Sequence, residues 1–200
     1  MSRLRIVKLL SHTVGPITLS IKPSECVCIS GPSGAGKTVL LRAVADLDDH
    51  DGKVYLDRTE CVSFSGPQWR RRVGLLPAES EWWDDRVAPH FDGIEDTALQ
   101  DLGLDTKILD RAVTRLSTGE RQRLALLRLL AQRPKVLLLD EPTASLDSKN
   151  VRRVERSVAA YRKAHKAPVL WVSHDLRQIR RVSTRHLRLL DGELSEGQMR

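Results

Sequence analysis

Short apolar runs recur along the chain and end at polar or turn-forming residues. The runs at 136–139 and 169–172 contain only apolar side chains, which is typical of strands buried on both faces of a parallel sheet. Helix-compatible stretches separate the runs, and this alternation of strand and helix indicates an α/β fold. Strands are predicted near residues 17–21, 26–30, 53–57, 136–139, 169–172 and 187–190.

A helix is predicted to begin just after Ser117. Ser117 and Glu120 stand at the S-x-x-E spacing of a capping box, and a helical pattern of apolar positions follows them. Spacing by threes and fours places these side chains on one buried face of the helix. The apolar positions of that face are Leu124, Leu127, Leu130 and Ala131.

Composition places the chain among cytoplasmic globular proteins. Its 200 residues are 40% hydrophobic, which is enough to bury a core, and one domain is expected. No stretch approaches the roughly 18–20 uninterrupted apolar residues of a membrane span, and the first residues lack the apolar core of a signal peptide. The spacing of Cys26, Cys28 and Cys61 suits neither a disulfide framework nor a zinc site, so structural roles are predicted for them.

The formal net charge of +7 comes largely from pairs and triplets of arginine, for example at 70–72, 152–153 and 180–181. A solvated basic face explains such clusters, and attraction to an anionic membrane surface or to nucleic acid is the alternative.

A glycine-rich segment at 31–38, GPSGAGKT, matches the phosphate-binding pattern G-x-x-x-x-G-K-[ST]. It follows a predicted strand and precedes a helix-compatible segment, as this motif requires. Glycines let backbone N–H groups turn towards phosphate oxygens, and the helix adds the positive end of its dipole. Lys37 should reach the terminal phosphates, and the Thr38 hydroxyl should ligate magnesium. The nucleotide-binding residues predicted here are Gly31, Pro32, Ser33, Gly34, Ala35, Gly36, Lys37, Thr38 and Val39.

Polar side chains follow two of the predicted buried strands. Asp140 and Glu141 end the run at 136–139, and His174 follows the run at 169–172. Ligands of open α/β sheets bind at the carboxyl ends of strands, so these residues should meet the phosphates there. Asp140 is predicted to hold magnesium through water, Glu141 to polarise the attacking water as general base, and His174 to contact the γ-phosphate.

Four segments in order, GPSGAGKT, LSTGERQR, VLLLDEPTASLD and VSHD, resemble the ATP-binding subunit of ABC (ATP-binding cassette) transporters over nearly the whole chain. The resemblance implies that Ser117, Gly119 and Glu120 bind the ATP held by a second copy, and that Asp147 lies in a loop that crosses between copies. The capping-box spacing also predicts a helix start with uncapped N–H groups, which favours an anion. ATP and Mg²⁺ are the implied cofactor set, and a head-to-tail dimer around two ATP is the implied assembly.

Two positions depart from the family pattern. The family carries a glutamine that links the γ-phosphate and magnesium to the membrane partner, whereas this chain has Ala78 at that place and Glu79 one residue beyond. Glu79 is predicted to take over as a magnesium ligand, with an absent contact as the alternative. The aromatic residue that stacks on adenine is also missing before Tyr55. His12 is the nearest substitute, and an ordinary surface-loop role for it is equally open.

The predicted fold class is α/β, a P-loop NTPase core with a mostly parallel sheet, a small helical subdomain and an N-terminal antiparallel β region. Residues 1–200 form one ABC nucleotide-binding domain, with the core at 1–77 and 131–200 and the helical subdomain at about 78–130. Trp82 and Trp83 suit either the apolar base of that subdomain or a groove that receives a helix of a membrane subunit.

The predicted function is ATP hydrolysis that drives a separately encoded membrane permease from the cytoplasmic face of the membrane. The alternative is a soluble ABC ATPase that powers an assembly scaffold or acts on nucleic acid without a transmembrane partner. No long coiled-coil segment separates the motifs, as the DNA-repair branch of the family would require, so no nucleic-acid partner is expected. Salt-dependent binding of DNA or RNA is the observation that discriminates.

Overall fold

The computed structural model describes residues 2–197, which form two β-sheets with helices packed around them. The strands, numbered in chain order, are β1 (Leu4–Ser11), β2 (Val14–Ile21), β3 (Cys26–Ser30), β4 (Asp51–Leu56), β5 (Thr59–Glu60), β6 (Val73–Leu76), β7 (Val136–Asp140), β8 (Val169–Val172), β9 (Arg185–Leu190) and β10 (Glu193–Glu196). The α-helices are α1 (Lys37–Val44), α2 (Gly66–Arg70), α3 (Asp96–Asp101), α4 (Thr118–Ala131), α5 (Ser148–His165) and α6 (Leu176–Val182).

The larger sheet has the strand order β10-β9-β3-β8-β7-β6 and is parallel except for β10, which runs antiparallel to β9. Its strands alternate their side chains between two apolar clusters, one on each face. Leu138 and Leu170 belong to the cluster that contains α1 and the smaller sheet, whereas Leu137, Leu139 and Trp171 belong to the cluster that contains α4 and α5. The continuous apolar runs are therefore strands covered on both sides, as predicted.

The smaller sheet is antiparallel, with the order β2-β1-β4-β5. Its central strand β1 was not among the predicted strands, because Arg5 and Lys8 interrupt its apolar positions. The buried side chains of Leu4, Ile6 and Leu9 nevertheless lie on one face of the strand, which packs on the core. The N-terminal antiparallel region and the parallel core together confirm the predicted fold class.

The segment between β6 and α4 contains less regular helix than the sequence indicated. It holds the short α3 and 3₁₀ turns at Ala88–His90, Thr106–Asp110 and Val113–Arg115. Its apolar side chains, including Leu99 and Leu102, share one cluster with α4 and the larger sheet. The division of the chain into a core and a helical subdomain at about 78–130 stays a prediction.

The three cysteines are free thiols in the buried core, in keeping with the predicted structural roles. Burial raises the pKa of the Cys61 thiol to about 12, so this side chain stays protonated. Within residues 2–197, no helix is both long enough and apolar enough to cross a membrane.

Candidate nucleotide site

The glycine-rich loop joins the end of β3 to the start of α1, and its tip is presented to solvent at Pro32, Ser33 and Gly34. Gly36 caps α1 at a φ of 91°, in the left-handed region that favours glycine. A side chain on Gly36 would clash with Val14 Cγ2, so the loop packs tightly against the turn between β1 and β2. The strand, loop and helix context of the phosphate-binding motif is present.

Lys37 folds back over this loop. Its side chain is buried to 7% exposure, and its Nζ donates to the carbonyl oxygens of Gly31 at 3.0 Å and of Pro32 at 2.8 Å. The ammonium charge is thus held against the loop that the motif assigns to phosphate binding. A phosphate bound by this loop would meet that charge.

Thr38 and Asp140 bring two oxygen ligands together. The Thr38 hydroxyl, at the start of α1, donates to Oδ2 of Asp140 at 2.7 Å, and Asp140 is buried at the end of β7. Hydroxyl and carboxylate oxygens suit Mg²⁺, which takes few protein ligands and completes its octahedron with water and substrate phosphates. In the described part of the chain no three His, Cys, Asp or Glu residues cluster at metal-binding distance. The residues fit magnesium as an ion that is held jointly with a nucleotide.

Glu141 lies directly beyond β7 in a strained backbone conformation, with a φ of 48°. Its Oε1 is 3.0 Å from Nε2 of His174, within ion-pair distance but without the alignment of a hydrogen bond. Burial raises the pKa of the Glu141 carboxyl; the charges of His174 and Lys37 oppose the rise, while Asp140 adds to it. A carboxylate with a raised pKa is a better proton acceptor, as a general base requires.

Neighbouring strands explain why these groups meet. β3, β8 and β7 are adjacent and parallel, with Ile29 paired to Val172 and Val172 paired to Asp140. The loop after β3, the carboxylates after β7 and His174 after β8 therefore emerge at one edge of the sheet. The predicted catalytic set of Lys37, Glu141 and His174 is assembled there.

Gln122 is a contact to the site that the sequence did not reveal. This α4 side chain is 9% exposed, and its Nε2 donates to the backbone carbonyl of Glu141 at 2.8 Å. Its Oε1 is buried and has no hydrogen-bond partner within residues 2–197. α4 is consequently tied to the residue that carries the candidate base.

The start of α4 departs from the prediction of uncapped N–H groups. Ser117 Oγ accepts from the Glu120 N–H at 3.2 Å, and the Glu120 carboxylate accepts from the Ser117 N–H at 2.8 Å. Arg111 also donates to Glu120 at 2.8 Å. Burial raises the pKa of Glu120, but these hydrogen bonds and the Arg111 charge outweigh it and lower the pKa overall. The capping box closes on itself, and the N–H groups of Thr118 and Gly119 are the donors left without a partner among the described residues.

Gly119 lies close to the loop after β7. A Cβ on Gly119 would approach Leu146 Cδ2 to 3.0 Å and the Ser145 carbonyl oxygen to 3.3 Å. Asp147 is the N-cap of α5, where its carboxylate accepts from the N–H groups of Lys149 and Asn150 at 2.9 Å each. Contacts of Ser117, Gly119, Glu120 and Asp147 with a second copy's nucleotide stay predictions.

Glu79 and His12 lie at the margins of this site. Glu79 is exposed and lines a groove with Thr118, Arg121 and Gln122, and no hydrogen bond or ion pair joins it to another residue of the described chain. Its contact with magnesium stays a prediction. His12 is exposed in the turn between β1 and β2. It directly precedes Thr13 and Val14, whose side chains flank Gly36. That position is beside the phosphate loop, where its stacking on adenine also stays a prediction.

Comparison with known proteins bears on the identity of this site. The family description "ABC transporter" matches residues 14–144, which is more than half of the chain. The chain belongs to the ABC transporter family. This assignment confirms the predicted enzyme class, an ATPase that binds ATP.

Two curated relatives show how far the likeness extends. The Hemin import ATP-binding protein HmuV of Myxococcus xanthus is 36% identical, with 92% of this chain and 78% of that protein covered. Protein STAR1 of Oryza sativa subsp. japonica is 34% identical over 90% of this chain, and the match spans 56% of that protein's length.

Solved ABC structures share the fold. A bacterial Atm1-family ABC exporter with ATP bound matches 98% of this ABC chain and 38% of its own, with a TM-score of 0.85 and 24% identity. The ATP-binding cassette MJ0796, in a dimeric post-hydrolysis state bound to ADP and Pi, matches 98% of this chain and 99% of its own, with a TM-score of 0.79 and 23% identity.

Proposed function

We propose that this chain hydrolyses ATP to ADP and phosphate between two copies arranged head to tail, and that closure of this dimer drives a separately encoded membrane permease. The observation that carries the proposal is the meeting of Thr38, Asp140, Glu141 and His174 at the carboxyl edge of the larger sheet. The relative HmuV is named as a hemin import ATP-binding protein, and the proposal takes from it the ATP-binding role alone and not its cargo.

In the proposed reaction the glycine-rich loop holds the phosphates with its backbone N–H groups, and Lys37 meets the terminal phosphates. Magnesium, when bound, neutralises phosphate charge, and Thr38 and Asp140 would hold it. Glu141 accepts the proton of the attacking water, which its raised pKa favours. His174, 54% exposed, is close enough to Glu141 to orient it and is free on its solvent side to contact the γ-phosphate.

The start of α4 supports a dimer. Ser117 and Thr118 are exposed. The N–H groups of Thr118 and Gly119, which have no partner within residues 2–197, lie at the positive end of a helix of 14 residues. Such a helix end favours an anion. The chain's own phosphate loop precedes a different helix, α1. The γ-phosphate of a nucleotide held by a second copy supplies that anion in the proposed assembly.

A cluster of Trp82, Trp83, His90 and Arg128 supports a partner surface. The Arg128 guanidinium lies 4.7 Å from the Trp82 ring and 4.8 Å from the Trp83 ring, and Trp83 is 69% exposed. Trp83 and Arg128 line a groove of about 390 Å³ with an apolar wall that includes Leu75 and Leu129. Exposed aromatic and arginine side chains are typical of interface centres. We propose that the permease binds at this groove. The chain would then lie peripherally on the cytoplasmic face of the membrane. No nucleic-acid partner is proposed.

Glu141→Gln tests the reaction and the dimer together. The amide cannot accept the proton, so turnover should fall by at least about a hundredfold while ATP still binds, and a dimer should appear on size-exclusion chromatography with Mg²⁺ and ATP. Glu193→Gln, an exposed carboxylate on β10, is the matched control and should behave as wild type. Normal turnover by Glu141→Gln would contradict the assignment of Glu141 as general base. Full-speed hydrolysis by a strict monomer would contradict the proposed dimer.

The same preparation tests the membrane partner. An integral membrane protein should co-purify with the wild-type chain and be lost with Trp83→Ala, whereas Val62→Ala, at another exposed apolar side chain, should retain it. A partner retained equally by both variants would contradict the proposed docking surface. Binding of DNA or RNA near 0.15 M salt would favour the soluble alternative instead.

A further inference from the structure

A second cavity lies at the opposite end of the larger sheet from the nucleotide site. It has a volume of about 340 Å³, within the range of small-molecule pockets of roughly 300–1,000 Å³. Cys26, the first residue of β3, lines it, whereas the phosphate loop follows Ser30, the last residue of that strand. Residues of α5, α6 and β8 complete the wall: Arg152, Glu155, Arg156, Val158, Ala159, Arg162, Trp171, Arg181 and Val182.

The charged side chains of this cavity are four arginines and a single glutamate. Glu155 is already engaged, since it accepts from Arg181 at 2.6 and 3.2 Å, from Arg152 at 3.3 Å and from Gln178 at 3.1 Å. Within residues 2–197, the Arg156 side chain makes a single hydrogen bond, a long one from its Nε to the Arg152 carbonyl at 3.3 Å. The cavity therefore carries positive charge that its own carboxylate does not neutralise.

Two buried donors point to the missing acceptor. Nη1 of Arg162 and Nε1 of Trp171 are shielded from solvent and have no hydrogen-bond partner within residues 2–197, and Trp171 is fully buried. Buried polar atoms are nearly always hydrogen-bonded in folded proteins, so each such donor requires an explanation. Guanidinium and indole nitrogens are donors only, and a ligand that satisfies both must present acceptors.

The remaining wall is apolar. Val158, Ala159 and Val182 face the same space as the Trp171 indole and the Cys26 side chain. An inorganic anion would satisfy the arginines but leave this surface in contact with water, whereas a ligand with a hydrocarbon body would cover it.

We propose that this cavity binds a small organic anion, whose carboxylate or phosphate oxygens accept hydrogen bonds from Arg156, Arg162 and Nε1 of Trp171 and whose apolar body lies against Val158 and Val182. Planar guanidinium groups bind both oxyanions through charge-assisted hydrogen bonds. The site is separate from the nucleotide loop, and its occupancy does not depend on the proposed ATPase reaction.

Isothermal titration calorimetry on the full-length protein at about 0.15 M salt tests the site. Hexanoate and hexyl phosphate are the probes, since they share an apolar chain and differ in the anionic group. Hexanol controls for the chain alone, and inorganic phosphate controls for the charge alone. At least one organic anion should bind at least tenfold more tightly than either control, and the tighter of the two identifies the headgroup.

Arg156→Gln and Arg162→Gln should each weaken that binding by roughly tenfold, about what one charge-assisted hydrogen bond contributes. Lys163→Gln removes an exposed charge from the same helix outside the cavity and should change the affinity less than twofold. Arg156 is exposed, so its substitution tests the site even if Arg162→Gln does not fold.

Three results would overturn the proposal. Neither organic anion binding at millimolar concentration would show that the cavity is not a site. Equal affinity for hexanol would show an apolar cleft without anion recognition. Equal weakening by Arg156→Gln and Lys163→Gln would show attraction to the general positive charge of the protein.

Discussion

Gln122→Ala separates positioning of the candidate base from binding of the nucleotide. The wild-type Nε2 donates to the Glu141 carbonyl at 2.8 Å, and the substitution leaves that partly buried oxygen without its donor. An unsatisfied acceptor of this kind costs about 1–3 kcal/mol. The lower part of that range applies, because the buried Oε1, which has no partner, is removed at the same time. For a chain of this length, about 1–2 kcal/mol corresponds to a fall in Tm of roughly 2–8 °C.

The effect on turnover should exceed the effect on ATP binding. Glu141 holds a φ of 48°, so its backbone depends on surrounding contacts to keep this conformation. Loss of one such contact should displace the carboxylate, and a displacement near 1 Å lowers kcat by about tenfold to a hundredfold. KM for ATP should change little, since within residues 2–197 no hydrogen bond joins Gln122 to Lys37 or to the phosphate loop.

Steady-state ATPase kinetics and thermal unfolding measure both quantities on one preparation. Gln132→Ala is the matched control, because Gln132 is exposed at the C-terminal end of the same helix. Its free energy of unfolding should change by no more than an ordinary surface substitution gives, about 0.5 kcal/mol. A Gln122→Ala protein with wild-type kcat and lowered Tm would make Gln122 a purely structural residue. Wild-type values of both would refute the reasoning entirely.

The remaining predictions concern pH and stability. Burial raises the pKa of Glu141, so kcat should fall on the acid side at a higher pH than an ordinary glutamate gives. The His174 charge lowers this pKa, so His174→Gln should move the acid limb of the profile to still higher pH. A kcat–pH profile in which the acid limb does not move would contradict the assignment of Glu141 as general base. Tyr161→Phe should reduce the free energy of unfolding in urea by about 1–3 kcal/mol, because the buried Tyr161 hydroxyl donates to the Pro134 carbonyl at 2.6 Å. Tyr55→Phe is the control: Tyr55 makes no such hydrogen bond in the described chain, so the change should be less than about 0.5 kcal/mol. Equal losses in the two variants would refute this account.

Residues that carry chemistry at strand ends could be placed from the sequence. The runs before Asp140 and His174 are apolar throughout, so their strands could belong only to the interior of a sheet covered on both faces. Parallel strands present their carboxyl ends at one edge, so residues distant along the chain, such as Thr38 and Asp140, were expected close together. The Thr38 hydroxyl oxygen lies 2.7 Å from Oδ2 of Asp140. The geometry followed from strand direction rather than from the identity of any one side chain.

Contacts made by single polar side chains across the fold could not be predicted in this way. Gln122 stands among the leucines of α4, and nothing in the helical pattern shows that its amide reaches the carbonyl of Glu141. Glu120 matched a capping box, but its ion pair with Arg111 depends on the irregular segment before α4. β1 was missed for a related reason: charged residues alternate with its apolar ones, and the alternation is regular only up to a register shift between Ile6 and Leu9.

Glu141 is fixed by three parts of the chain at once. Its N–H donates to the Val172 carbonyl of β8, its own carbonyl accepts from Gln122 of α4, and its carboxylate meets His174 beyond β8. Gln122 lies five residues after Ser117 in the sequence, and an α-helix is stiff over so short a distance, about 1.5 Å per residue. A shift of α4 that follows anion binding at its N-terminal end would therefore carry Gln122 with it and change the position of the base. This link gives a physical reason why hydrolysis in the proposed dimer should respond to the partner nucleotide at the start of each α4.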